Sequence, residues 1–278
     1  MNSSVSLWIA ASLLTIATAY FQRVTGPSYP VRGTVIFKEA TIQYDLPRSH
    51  DCGSPALMHL KVFDTTIVGN VEWKRYKTED AWNRTPLSYT KGSLVAELPS
   101  QPPAGKLQYR LVLNRGDEVA VVPGVESIII RFKGEVPLPV LIAHIVAMFA
   151  AMLLAARSGL EYFSKESGLR SLTNWTLALT VVGGFILGPI VQRYAFNDWW
   201  TGWPSGTDLT DNKTTVMLIA WVGVAIAVRK SRKPRAWALA ASIVTFIVFL
   251  IPHSLFGSEL NQTALEKLNP KTDSVQIR

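Results

Sequence analysis

The sequence predicts a membrane α-helical bundle of four helices plus an N-terminal anchor helix, with an inserted extracytoplasmic all-β, sandwich-like domain. Three observations predict it. Apolar runs recur at Leu138–Ala156, Leu172–Val191, Thr214–Val228 and Ala236–Ile251, after an earlier one at Val5–Phe21. Several approach the roughly 20 residues that cross a bilayer core. Between the first run and the others lies a polar stretch, Gly26–Lys133, made of short alternating segments and turn residues. The net charge of +8 is also concentrated. Arg157, Lys165, Arg170, Arg229, Lys230, Arg232, Lys233 and Arg235 fall in two inter-helix turns, where only Glu161 and Glu166 oppose them, leaving +6 of the +8. Basic turns of that kind mark the cytoplasmic side. They argue against nucleic acid as a partner, which calls for a basic groove on a soluble domain.

Four segments follow in chain order. Residues 1–23 form an N-terminal transmembrane anchor. A cleaved signal peptide is the alternative, because Ala17-Thr18-Ala19 has the small residues of a cleavage site, but no Lys or Arg precedes the run. Residues 24–135 form the β domain. Its expected strands are Arg32–Phe37, Thr41–Leu46, Ala56–Phe63, Asn70–Tyr76, Ser93–Leu98, Leu107–Leu113, Glu118–Val122 and Glu126–Phe132. Turns are expected at Pro47–Pro55, Pro99–Gly105 and Asn114–Gly116. The stretch Leu98 to Gly105, followed by Leu107-Gln108-Tyr109, resembles the approach to a late strand in fibronectin-type and immunoglobulin-like domains. That resemblance implies a sandwich with Tyr109 as a corner tyrosine. It implies no function, since sandwiches host many. Cys52 is the only cysteine, so no internal disulfide and no cysteine-rich metal site can form. Lys74–Lys77 and Asn83-Arg84 read as solvated strand-face or loop residues.

Residues 136–256 form the four-helix transmembrane domain, and 257–278 a polar tail on the outer side. Ala143, Ala147, Ala150, Ala151 and Ala155 give the first helix a surface that neighbours can approach closely. Gly184 and Gly188 do the same for the second, where Pro189 is expected to kink the outer end and free a backbone carbonyl. Thr210 or Asp211 is expected to cap the third.

The candidate site residues gather at the outer face. His144 and His253 lie on different helices, with Arg193 and Trp203 nearby. Two histidines on separate helices could ligate one b-type haem, and a histidine beside tryptophans could hold a quinone. A metal held by His and Asp is a further alternative, and histidines bonded to loop carbonyls are the plainest one. Asp208, Asp211 and Lys213 are the other polar candidates, and an ionisable residue at a membrane rim is a functional-site hypothesis by default. No hydrolase, zinc-protease, phosphate-loop or dinucleotide motif occurs. The sequence therefore leaves three readings. The first is a structural or assembly subunit of a membrane complex, with lipids and other subunits as partners, in a bacterial-type cytoplasmic membrane. The second is a haem- or quinone-binding redox subunit. The third is an outer-face lipid- or substrate-processing enzyme.

Overall fold

The computed structural model describes residues 3–37, 40–124, 126–164, 168–252 and 260. His253 and all but one residue of the tail after 256 fall outside them. The chain divides into two compact units, one helical and one built of strands.

The helical unit begins with α1, Ser3–Thr25. It continues with α2, Leu138–Leu160, extended by a 3-10 turn over Glu161–Phe163. Next come α3, Leu169–Thr180, a π-helical segment over Val181–Leu187, and α4, Gly188–Phe196. These three run as one continuous apolar helix of 28 residues. The last two are α5, Leu209–Lys230, and α6, Pro234–Leu250. Four helices are long and apolar enough to cross a membrane, and α6 is shorter at 17 residues. At 1.5 Å per residue α6 reaches about 26 Å, near the thickness of a hydrocarbon core. The protein is a multi-pass membrane protein by this architecture.

The bundle is inside-out relative to a soluble one. Large apolar side chains face away from it, with Leu13, Ile16 and Ile219 each more than 60% exposed. Its centre holds small residues, Ala147, Ala151, Ala155, Ala238 and Ala241, around the fully buried Trp221. Where the surroundings are lipid, helices associate through close packing rather than hydrophobic gain, so small residues line the contacts. Several buried hydroxyls are satisfied locally, though that of Ser158 in α2 has no partner among the described residues. Thr173, Thr176 and Thr180 each donate to the carbonyl four residues back, and Trp221 Nε1 donates to Thr245 Oγ1 at 2.9 Å. Arg157 and Glu161, counted among the charges of an inter-helix turn, pair inside the bundle at 2.6 Å with the Arg157 guanidinium over the Trp8 ring.

Two helix expectations need correction. The sequence places the start of the third helix of the 136–256 region near Thr214, yet this helix, α5, begins at Leu209. Its cap is Asp208, whose Oδ1 accepts from the Thr210 amide at 2.7 Å, rather than Thr210 or Asp211. The polar run reads as loop, but its side chains are consumed by the fold, which lets the helix start earlier. At the other correction, the backbone irregularity expected at Pro189 lies one turn earlier, in the π-helical segment. There the Gly188 amide donates to the Gly183 carbonyl, five residues back.

The β unit spans Ser28–Glu135. Its strands are β1 (Val31–Phe37), β2 (Ala40–Leu46), β3 (Ser49–Asp51), β4 (Ala56–Lys61), β5 (Val68–Arg75), β6 (Asn83–Pro86), β7 (Ser88–Thr90), β8 (Ser93–Leu98), β9 (Lys106–Arg115), β10 (Glu118–Val122) and β11 (Ile128–Lys133). They form a two-stranded sheet β1-β2, a three-stranded sheet β4-β8-β7, and a six-stranded sheet in the order β3-β11-β9-β5-β6 with β10 also on β9. Alternation in β4 buries Ala56, Met58 and Leu60, and in β9 it buries Leu107, Tyr109, Leu111 and Leu113. These residues share one core with Phe37, Leu46, Leu94, Ile130 and Phe132. Tyr109 is fully buried and its hydroxyl donates to the Pro47 carbonyl at 2.8 Å. It ties β9 to a segment 62 residues upstream, whereas a corner tyrosine bonds a few residues away. Burial in this apolar core pushes its phenol well above the ordinary range.

Candidate functional site

The described candidates resolve into two clusters in the helical unit. The first surrounds His144. The ring nitrogen Nδ1 sits 2.9 Å from the Gly183 carbonyl oxygen. A carbonyl only accepts, so Nδ1 carries the hydrogen and Nε2 is the acceptor nitrogen. The geometry needs the glycine at 183 in the π segment. A Cβ there would fall 2.8 Å from Met148 Sδ and 3.1 Å from Ala147 Cβ on α2. The backbone of α3 to α4 thus approaches α2 closely enough for a main-chain carbonyl to meet the imidazole.

The second cluster fastens the loop after α4 to the start of α5. Asp211, in the first turn of α5 and buried, accepts from the Thr201 and Gly202 amides at 2.8 and 3.0 Å. The Gln192 amide presents its nitrogen to the same carboxylate at 3.2 and 3.3 Å, because a carboxylate only accepts, and its oxygen receives the Thr201 hydroxyl at 2.7 Å. Asp208 caps the helix and also lies 3.2 Å from the Thr201 hydroxyl. Asn212 Oδ1 accepts from the Trp203 amide at 2.6 Å. Lys213, buried on α5, donates to the Ile251 carbonyl at 2.7 Å, just past the end of α6. That contact places a cation at a helix C-terminus, where exposed carbonyls concentrate negative charge. Trp200 stacks on Phe185 with centroids 5.5 Å apart, and its indole N–H donates to the Trp203 carbonyl.

The predicted residues therefore take different positions. Asp208 and Asp211 are brought together with Gln192 and Thr201 as a latch, while Lys213, also buried, bonds the end of α6 instead. Arg193 and Trp203 are exposed at its rim, and the Arg193 side chain bonds Asn197 on the last turn of α4. His144 lies apart in the π-segment cluster. Sequence reasoning missed Gln192, Thr201 and the Gly183 carbonyl. Only the small Thr201-Gly202 pair amid tryptophans signals a backbone bound closely by a side chain. Among the described residues, no group of three or more His, Cys, Asp or Glu is arranged to hold a metal ion.

A third cluster lies in the β unit, where the sequence suggested only solvated residues. Register aligns Arg84 of β6, Glu72 of β5 and Arg110 of β9 in one row. Glu72, only 6% exposed, accepts from Arg84 at 2.9 Å and from Arg110 at 2.7 and 2.8 Å. The Arg110 hydrogen bond, reinforced by both cations, holds the Glu72 carboxyl below the usual carboxylate range. The Trp82 ring lies under Arg110 at 4.9 Å and Lys74 at 5.7 Å, and the Tyr76 ring under Lys77 at 5.3 Å and Lys106 at 5.5 Å. These are cation–π distances. The result is a cationic face studded with aromatic rings, with one acid buried beneath it.

Compared with known protein families, with curated proteins and with solved structures, the chain matches none.

Proposed function

We propose that the protein is an assembly subunit of a membrane complex, presenting a sandwich-like β domain outside the cytoplasm to another subunit. The cation–aromatic face of the six-stranded sheet carries this reading. Tyr, Trp and Arg are the residues that most often anchor protein interfaces, and Trp82, Tyr76 and Arg110 are held in fixed positions by their neighbours. A partner with an acidic patch fits that charge. The helical unit supports the same reading. Its rim acids bond their own backbone, so Asp208 and Asp211 stabilise a loop rather than standing ready for a substrate. Two observations support an outside placement. The cationic turns flank the opposite helix ends. With five spanning helices, chain segments after the first and the fifth lie on one side, and the Leu260 amide, beyond α6, donates to Ala104 of the β domain at 3.2 Å.

Affinity isolation from native membranes in mild detergent tests the proposal. A stoichiometric partner is expected, and it should be lost from an Arg84→Glu, Lys106→Glu variant that remains folded. A monodisperse protein without a partner, or one whose partner survives the charge reversal, overturns it.

A second reading, a haem- or quinone-binding subunit, draws on one specific observation. A backbone-bonded Nδ1–H leaves His144 Nε2 as the coordinating or accepting nitrogen, the arrangement that histidine ligands use. A dithionite-reduced absorbance spectrum of the purified protein tests the haem branch, and lipid extraction tests the quinone branch. Absence of a Soret band in protein from haem-replete cells removes the former.

A further inference from the structure

The β unit contains a cleft that the assembly role does not use. The hairpin β1–β2 lies beside β4, yet the two belong to different hydrogen-bonded sheets. Where the ladder breaks, a cleft of about 540 Å³ opens. Small-molecule sites fall in the range of roughly 300–1,000 Å³.

The lining follows from strand alternation. Arg32 and Thr34 of β1, and Gln43 and Asp45 of β2, occupy the exposed positions of the hairpin, while His59 and Lys61 occupy those of β4. Gly33 and Tyr44 complete the wall. A Cβ on Gly33 would fall 2.5 Å from Tyr44 Cζ, so the absence of a side chain there lets the tyrosine ring lie across β1. The charges of the cleft are not balanced internally. Arg32 is already paired to Asp45 at 2.8 Å and bonded to the Tyr29 hydroxyl at 3.2 Å. Lys61 and His59 make no hydrogen bond or ion pair among the described residues. One ammonium and one imidazole thus face a concave space whose remaining lining offers hydroxyl, amide and carboxylate groups.

We infer that this cleft binds a small hydroxylated organic anion, its carboxylate or phosphate held by Lys61 and His59 and its hydroxyls by Thr34, Gln43 and Asp45. An ammonium and an imidazole give charge-assisted hydrogen bonds to such a group. The polar lining suits a sugar acid or a phosphorylated polyol better than an apolar ligand. Those two sources share the same chemistry, and the inference stands independently of any protein partner.

The test uses the full-length protein in a polyoxyethylene detergent, titrated calorimetrically with glucuronate and glycerol 3-phosphate, and with glucose and glycerol as neutral counterparts. At least one anion should bind with a Kd below about 1 mM, and its counterpart roughly tenfold more weakly or not at all. Which anion binds identifies the source. Lys61→Glu should weaken binding at least about tenfold, while Lys61→Arg retains it and Lys91→Gln, in an exposed turn, leaves it unchanged. His59→Gln gives a second, milder loss. Anions that bind no better than their neutral counterparts overturn the inference, as does a folded Lys61→Glu variant with unchanged affinity.

Discussion

At the scale of single residues, the β domain rests on a few polar groups whose burial makes them costly to disturb. Glu72 is the clearest. Its carboxylate is nearly enclosed and receives both Arg84 and Arg110. Glu72→Ala removes three charge-assisted bonds from two arginines and leaves two cations facing each other, so a loss of about 2 kcal/mol is expected in chemical denaturation. The same group fixes a pH dependence. Its folded carboxyl titrates below the ordinary value of 4.5. The stabilisation is therefore complete above that value and disappears as pH falls through the lower folded one. Denaturation of the wild type should show this acid-side loss, and the Glu72→Gln variant should show less of it. Identical pH profiles for the two would contradict the role assigned to Glu72. Tyr109→Phe probes a different contact, leaving the Pro47 carbonyl without its donor in the core. A loss of about 1–2 kcal/mol is expected.

At the scale of elements, the latch and the π segment each make a specific prediction. Asp211→Ala deprives the Thr201 and Gly202 amides of their acceptor. Hydrogen exchange at 201 and 202 should accelerate markedly while exchange in the middle of α5 stays unchanged, and unaltered exchange at those two amides would show that the latch does not hold them. Gly184→Ala drives a Cβ into the Thr214 methyl, which should lower the thermal midpoint by an amount worth about 1–3 kcal/mol. Thr214→Ser removes that methyl and keeps the hydroxyl that bonds the Thr210 carbonyl, so it should recover most of the loss in the double variant. These two elements also show why part of the site was not legible. The apolar runs announce the helices, and Gly184 and Gly188 announce close approach. Nothing in the pattern Asp208-Leu209-Thr210-Asp211-Asn212-Lys213 says that three of its polar side chains are buried, because their partners are backbone groups of a loop and of a distant helix end. Backbone acceptors such as the Gly183 and Ile251 carbonyls have no sequence signature. In the β unit, β4 and β9 were readable from alternation, whereas Ser49-His50-Asp51 was read as turn. It is a strand only because it pairs in parallel with β11, a long-range contact that outweighs its weak local preference.

At the scale of the whole molecule, sidedness is decisive, since the assembly reading requires the β domain outside. The distribution of charge makes the strongest case. Arg229 and Lys230 in the last turn of α5 are followed by Arg232 and Lys233 ahead of α6, whereas no comparable cluster of cations joins α4 to α5. Translocating four cations is disfavoured, and the bias of the short inter-helix turns sets orientation, since cations within a long inserted domain count for little. The orientation can be read with single cysteines in a Cys52→Ser background. That background matters little to labelling, because burial and the neighbouring Asp51 charge push the Cys52 thiol up and keep it poorly reactive. A membrane-impermeant maleimide applied to intact cells or spheroplasts should modify Lys91→Cys, in an exposed turn of the β domain, and spare Lys233→Cys until the membrane is permeabilised. Replacing Arg229, Lys230 and Arg232 with glutamine alongside each reporter should weaken that asymmetry, giving a mixed population in which both positions label partially. The opposite pattern in the unaltered background would place the β domain in the cytoplasm and overturn the proposed presentation to an outer partner. The anion cleft would survive that result, since its lining belongs entirely to the β unit, and its ligand would then come from a cytoplasmic pool of sugar acids or phosphorylated polyols.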